Sequence, residues 1–75
     1  MGALSYHVVP NGDGGWGVRR GGSDRMLRNF DTKTQAGDYG KGVAKNQGAE
    51  LFYHRKDGTF QRRDSYGNDP YPPRG

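Results

Sequence analysis

The 75-residue sequence has no cysteine and one tryptophan, and only 29% of it is hydrophobic. Without thiols there is no disulfide framework and no thiolate metal centre, and two histidines far apart in sequence, His7 and His54, do not make a structural zinc site on their own. No metal and no cofactor is expected. Long apolar runs are also missing. Nothing approaches the roughly 20 residues needed to span a bilayer, and the opening MGALSYHVVPNG has neither the cationic region nor the apolar stretch of a secretory signal. No membrane contact is expected, and the cytoplasm is the expected location. Scarcity of apolar residues limits the core as well. Ordering a chain of this size costs roughly 110 kcal/mol, at about 1.5 kcal/mol per residue. One small domain over residues 1–75 is therefore expected to have modest stability, and a homodimer or another partner would enlarge its core.

Glycine and positive charge are plentiful. There are 14 glycines, and twelve Lys and Arg against eight Asp and Glu leave a formal charge of +4. The cations are spread along the chain, which favours an anionic partner but equally suits a solvated surface.

Tyr6-His7-Val8-Val9-Pro10 alternates and is β-branched, Asn11 to Gly15 supplies turn chemistry, and Trp16-Gly17-Val18-Arg19-Arg20 alternates again. This reads as a β-hairpin. Tyr6, Val8, Trp16 and Val18 share its inner face, with Trp16 at the centre of the core. A turn at Gly21 to Asp24 leads to a third strand over Arg25 to Phe30, and then the period changes. Thr32-Lys33-Thr34-Gln35 fits a capping box. Ala36, Tyr39, Gly40, Val43 and Ala44 then form one face of a helix, which Gly48 is placed to end. Gly40 lies on the inward stripe, whereas Gly37 and Gly42 are assigned to exposed positions. Ala49 to His54 is the strongest strand, Lys56 to Thr59 a turn, and Phe60 to Arg63 the returning strand. The order is βββαββ. The expected fold is a two-layer α+β domain, an antiparallel sheet of about five strands with one helix on one face.

Gly12-Asp13-Gly14-Gly15-Trp16-Gly17 matches G-x-G-x-x-G, but the dinucleotide fingerprint must open a helix to hold pyrophosphate. Here it enters a strand, so a hairpin loop is the better reading. Catalytic groups are few: Ser5, Ser23 and Ser65, the two histidines, and carboxylates without paired spacing. No enzyme activity is expected. If the strands of His7 and His54 were neighbours the imidazoles could approach, although a strand histidine more often faces solvent.

Arg19, Arg20, Arg28, Arg55, Lys56, Arg62 and Arg63 fall on the strands and turns, interleaved with Trp16, Phe52, Tyr53 and Phe60. A sheet that presents basic and aromatic side chains on an open face can track phosphates and stack bases. These arginines and lysine are the candidate nucleic-acid contacts, in a noncatalytic binding module for DNA or RNA. Two alternatives remain: a protein-interaction or inhibitor module of phage or mobile-element type, with Tyr53, Tyr66 and Tyr71 as partner contacts, or a binder of a small anionic ligand such as a nucleotide.

HVVPN with GGW, the KNQGAEL junction and the ending DSYGNDP resemble the small bacterial family of the domain of unknown function 2188, over about Tyr6 to Pro73. The resemblance implies a compact α+β domain of bacterial or phage origin and carries no activity or site with it. The helix interior is richer in glycine than is usual for that family. Residues 64–75, DSYGNDPYPPRG, read as a C-terminal flap or tail. Asp64 and Ser65 would end the last strand, Tyr66 would anchor on the core edge, and Pro72-Pro73 would favour extended geometry.

Overall fold

The computed structural model describes residues 4–23 and 25–66. Its strands are β1 (Ser5–Pro10), β2 (Trp16–Arg20), β3 (Met26–Phe30), β4 (Glu50–His54) and β5 (Phe60–Ser65), and α1 (Lys33–Gln47) stands between β3 and β4. The order βββαββ and the α+β class agree with the sequence, but the sheet is mixed. Its strands run in the order β3-β2-β1-β4-β5, and β1 and β4 are parallel, with Ser5 opposite Glu50 and Val8 opposite Tyr53. The expectation of an antiparallel sheet fails at this pair. The segment from β3 through α1 carries the chain across β2 and β1, so β4 enters beside β1 in the same direction, as a crossover requires.

The β1–β2 hairpin pairs Tyr6 with Arg20 and Pro10 with Trp16. Its loop is organised by Asn11, whose side-chain oxygen accepts from the amides of Asp13 at 2.9 Å and Gly15 at 3.2 Å. Gly12 and Gly14 take φ of 90° and 87°, angles that side chains rarely adopt. The glycine-rich segment thus serves a turn that leads into β2.

The capping box forms as its residues suggest. Gln35 donates its amide to the Thr32 hydroxyl at 3.1 Å, and the Thr32 amide donates back to the Gln35 side chain at 3.2 Å. Gly48 ends the helix in the left-handed region at φ 62°. Ala36, Gly37, Gly40 and Ala44 are buried, against a core of Tyr6, Val8, Val18, Ala49, Leu51 and Tyr53. Gly37 therefore faces inward, contrary to its expected exposure. A Cβ there would lie 3.3 Å from the Tyr53 ring, whereas one at Gly42 would meet nothing within 4 Å. At Gly40 it would come within 3.0 Å of Leu51 and 3.4 Å of Val8. Small residues let the helix lie close on the sheet, and this is how a chain with few large apolar side chains closes a core.

Leu51, Val8 and Val18 are the largest fully buried side chains. Trp16 is not the centre of this core. It is half-buried at the rim, because the first position of β2 sits at the end of the sheet, opposite Pro10 and Phe30. The Lys33 ammonium lies 4.9 Å from its ring centroid. Strand β5 also runs two residues further than expected, so Asp64 and Ser65 extend it and pair with Leu51 and Glu50.

Candidate functional site on the uncovered sheet face

Cross-strand partners share a face of a sheet and successive residues alternate between faces, so the register assigns each side chain to a side. Tyr6, Val8, Val18, Leu51 and Tyr53 face α1. The opposite face carries no helix among the described residues. One row across it reads Arg19, His7, Phe52, Arg63, on β2, β1, β4 and β5 in turn. Three strand spacings separate its ends, roughly 14 Å at about 4.8 Å each. Over these four strands the row is an arginine on either side of an imidazole and a phenyl ring, and Met26 of β3 continues it beyond Arg19.

The rings pack on one another. His7 stacks on Phe52 with centroids 4.8 Å apart and planes at 14°. Phe60, opposite His54, meets Phe52 edge-on at 6.1 Å. Phe60 remains 54% exposed, a large apolar ring at the surface in a chain that has few to spare. The Arg19 guanidinium is braced by the Ser23 carbonyl at 3.2 Å, and Arg63 is exposed.

The parallel pairing of β1 and β4 also brings the two histidines together. His7 Nδ1 and His54 Nε2 are 2.9 Å apart, and His54 Nδ1 is 3.2 Å from the Gly58 carbonyl oxygen. A carbonyl only accepts, so His54 Nδ1 carries the proton. Neutral His54 then accepts at Nε2 from His7 Nδ1–H. Burial, with help from the Arg19 charge and from His54, lowers the pKa of His7 to about 4. This contact is absent from any local sequence pattern, since it depends on which strands are neighbours.

The seven candidate cations do not form one surface. Arg19 and Arg63 lie on the uncovered face, whereas Arg20, Arg28 and Arg62 align with helix-side residues. Alternation alone divides the adjacent pairs Arg19-Arg20 and Arg62-Arg63 between the two sides. The Arg28 guanidinium lies 5.8 Å from both the Phe30 and Tyr39 ring centroids, and that of Arg62 lies 4.5 Å from Tyr53. Arg55 and Lys56 occupy the β4–β5 turn, in which the Asp57 carboxylate accepts from the Thr59 amide and hydroxyl. Those bonds lower the Asp57 pKa.

Of the tyrosines considered as partner contacts, Tyr53 is buried with its ring against Gly37. Tyr66 packs on the core edge beneath Lys45 and donates its amide to the Ala49 carbonyl at 3.1 Å. Burial first, then the Asp64 charge, raises its phenol pKa. Tyr71 and the rest of the flap beyond Tyr66 lie outside the described residues. No helix among the described residues is long and apolar enough to cross a membrane, and no three His, Cys, Asp or Glu side chains among them are placed to hold a metal ion.

No solved structure matches the chain. The uncharacterized protein YdaT of Bacillus subtilis (strain 168) is 34% identical over 62 residues, covering 83% of this chain and 41% of that protein. The chain thus spans less than half the length of this relative. The family described as "Uncharacterized protein conserved in bacteria (DUF2188)" matches residues 6–66, from the first core residue of β1 to the tyrosine that closes the core after β5, and the chain belongs to this family.

Proposed function

We propose that the chain is a noncatalytic module that binds nucleic acid on its uncovered sheet face. The observation that carries this reading is the row Arg19-His7-Phe52-Arg63 with Phe60 exposed beside it. Unstacked bases lay flat surface on phenyl rings, and arginines at both ends of the row meet the flanking phosphates. Stacking of this kind is worth about 1 to 3 kcal/mol per base. Bases inside a duplex are already stacked, so a ring platform favours single strands.

The test is binding of a fluorescent single-stranded oligonucleotide over a range of salt. Phe60→Ala is expected to weaken binding about fivefold or more at constant salt. Replacing Arg19 and Arg63 by Gln is expected to flatten the salt dependence by about 0.7 of a slope unit for each phosphate deprived of its arginine. Absence of binding to DNA and RNA strands at about 50 mM salt would overturn the reading and favour a protein partner on the same rings.

A further inference from the structure

On the other side of the sheet, the backbone of α1 lies close to β1, β2, β3 and β4 but not to β5. Strand β5 therefore projects past the helix, and a cleft of about 340 Å³ opens between them, within the size range of small-molecule sites. Lys33, Gly37 and Lys41 fall at i, i+4 and i+8, one row along α1, and all three line the cleft. Arg62 lines the opposite wall, Tyr53 the floor, and Asp38 supplies a single carboxylate. The lining thus has three cations and one anion.

Several of these groups are held in place. Lys33 donates to the Gln61 side chain, which ties the first turn of the helix to β5. Arg62 lies over the Tyr53 ring and pairs loosely with Asp64 at 3.5 Å. Tyr53 is only 7% exposed and lines the cleft. Gly37 leaves room beside Tyr53, since a Cβ there would lie a tight 3.3 Å from its ring. A buried tyrosine in a cleft lined by three cations is an arrangement that a compact, multiply charged anion with several acceptor oxygens would complete.

We infer that this cleft binds the phosphate monoester group of a small molecule, between Lys41 and Arg62, with the Tyr53 hydroxyl as a further donor. A monoester carries close to two charges above its second pKa of about 6. A diester carries one, and three cations suit it less. The site is separate from the uncovered face, and neither reading depends on the other.

The experiment is titration of the isotope-labelled chain with adenosine monophosphate and with inorganic phosphate, followed through its backbone amides. Saturable shifts are expected at Gly37, Tyr53 and Arg62. Arg62→Gln and Lys41→Gln should each weaken binding about tenfold, the loss of one charge-assisted hydrogen bond. Asp38→Asn should tighten it, a sign opposite to that expected for a cation or a sugar. Affinity should fall as pH drops from about 7.5 to 5.5, because the ligand loses its second charge. Phe60→Ala should leave this binding unchanged, which separates it from the sheet-face reading. The inference is overturned if neither probe gives saturable shifts up to about 10 mM, near the weak end of measurable affinity, or if both Gln variants bind as the unaltered chain does. Equal binding of dimethyl phosphate would reject the monoester, and a 5′-phosphorylated oligonucleotide that outcompetes adenosine monophosphate would reject a small-molecule source.

Discussion

Both faces of the sheet pack rings together, Phe30 on Tyr39 on one side and His7 on Phe52 on the other, but they place their cations differently. On the helix side the rings stand beneath cations: Trp16 under Lys33, Phe30 and Tyr39 under Arg28, Tyr53 under Arg62 and Tyr66 under Lys45. These long side chains lay their methylene stems on apolar surface and keep their charges in water. Each contact contributes roughly 0.5 to 1 kcal/mol at an exposed site. On the uncovered side the rings pack on one another and on imidazole, and Arg19 and Arg63 stand at the ends of the row. The same residue types therefore roof a small core on one side and leave a ring surface open on the other.

The sharpest way to break this comparison is to truncate one large side chain on each side. Leu51→Ala, in the fully buried layer under Gly40, should cost about 2 to 5 kcal/mol, whereas Phe60→Ala should shift stability by about 0.5 kcal/mol or less. Chemical denaturation of both variants checks the contrast, and a large loss at Phe60 would make that ring part of the core. Next in size is Gly40→Ala. Its new Cβ would press on Leu51 and Val8, and overpacking of this kind costs about 1 to 3 kcal/mol, measured as a fall in melting temperature.

A smaller effect comes from His7. Its folded pKa lies below the ordinary histidine value of 6.5, at about 4, so between these limits the unfolded chain binds more protons. The contribution to stability is present above pH 6.5 and is lost as pH falls toward 4. Discounted for the solvent that reaches this half-buried ring, it is about 1 kcal/mol. His7→Gln should flatten that part of the stability profile, as read by melting temperature against pH. The one gain in stability is also small: Gly42→Ala, with open space around the new methyl, should stabilise by about 0.4 to 1 kcal/mol. A loss there would mean that the exposed side of the helix is covered.

Features set by adjacent residues were legible in the sequence. Thr32 and Gln35 marked the helix start, Gly48 its end, and the flanking alternation placed every strand within a few residues. Pairing between distant segments was not legible. The β1–β4 pair and the His7–His54 contact depend on where the crossover lands, and no local pattern records this. Trp16 misled because it shares the inner face with Val18, Tyr6 and Val8, while its position at a strand end put it on the rim. Gly37 misled because the helix presents a wider inward stripe when its residues are small. Division of the arginines between faces was legible, since neighbours in a strand point oppositely, but which face would lie bare required the helix to be placed.

The parallel pairing of β1 with β4 bears on how the chain acquires its structure. The β1–β2 and β2–β3 hairpins close over short stretches, but β1 cannot meet β4 until Ser5 reaches Glu50, a closure that costs more chain entropy. During synthesis the first three strands therefore emerge as a meander whose central-strand-to-be, β1, has a bare edge, and they wait for α1 and β4 to cover it. We expect the β1–β2 hairpin to be formed in the folding transition state and the β4 contacts to follow. Val18→Ala should then slow folding, whereas Leu51→Ala should mainly hasten unfolding. The reverse partition in a chevron analysis would place the long closure first and the local hairpin second.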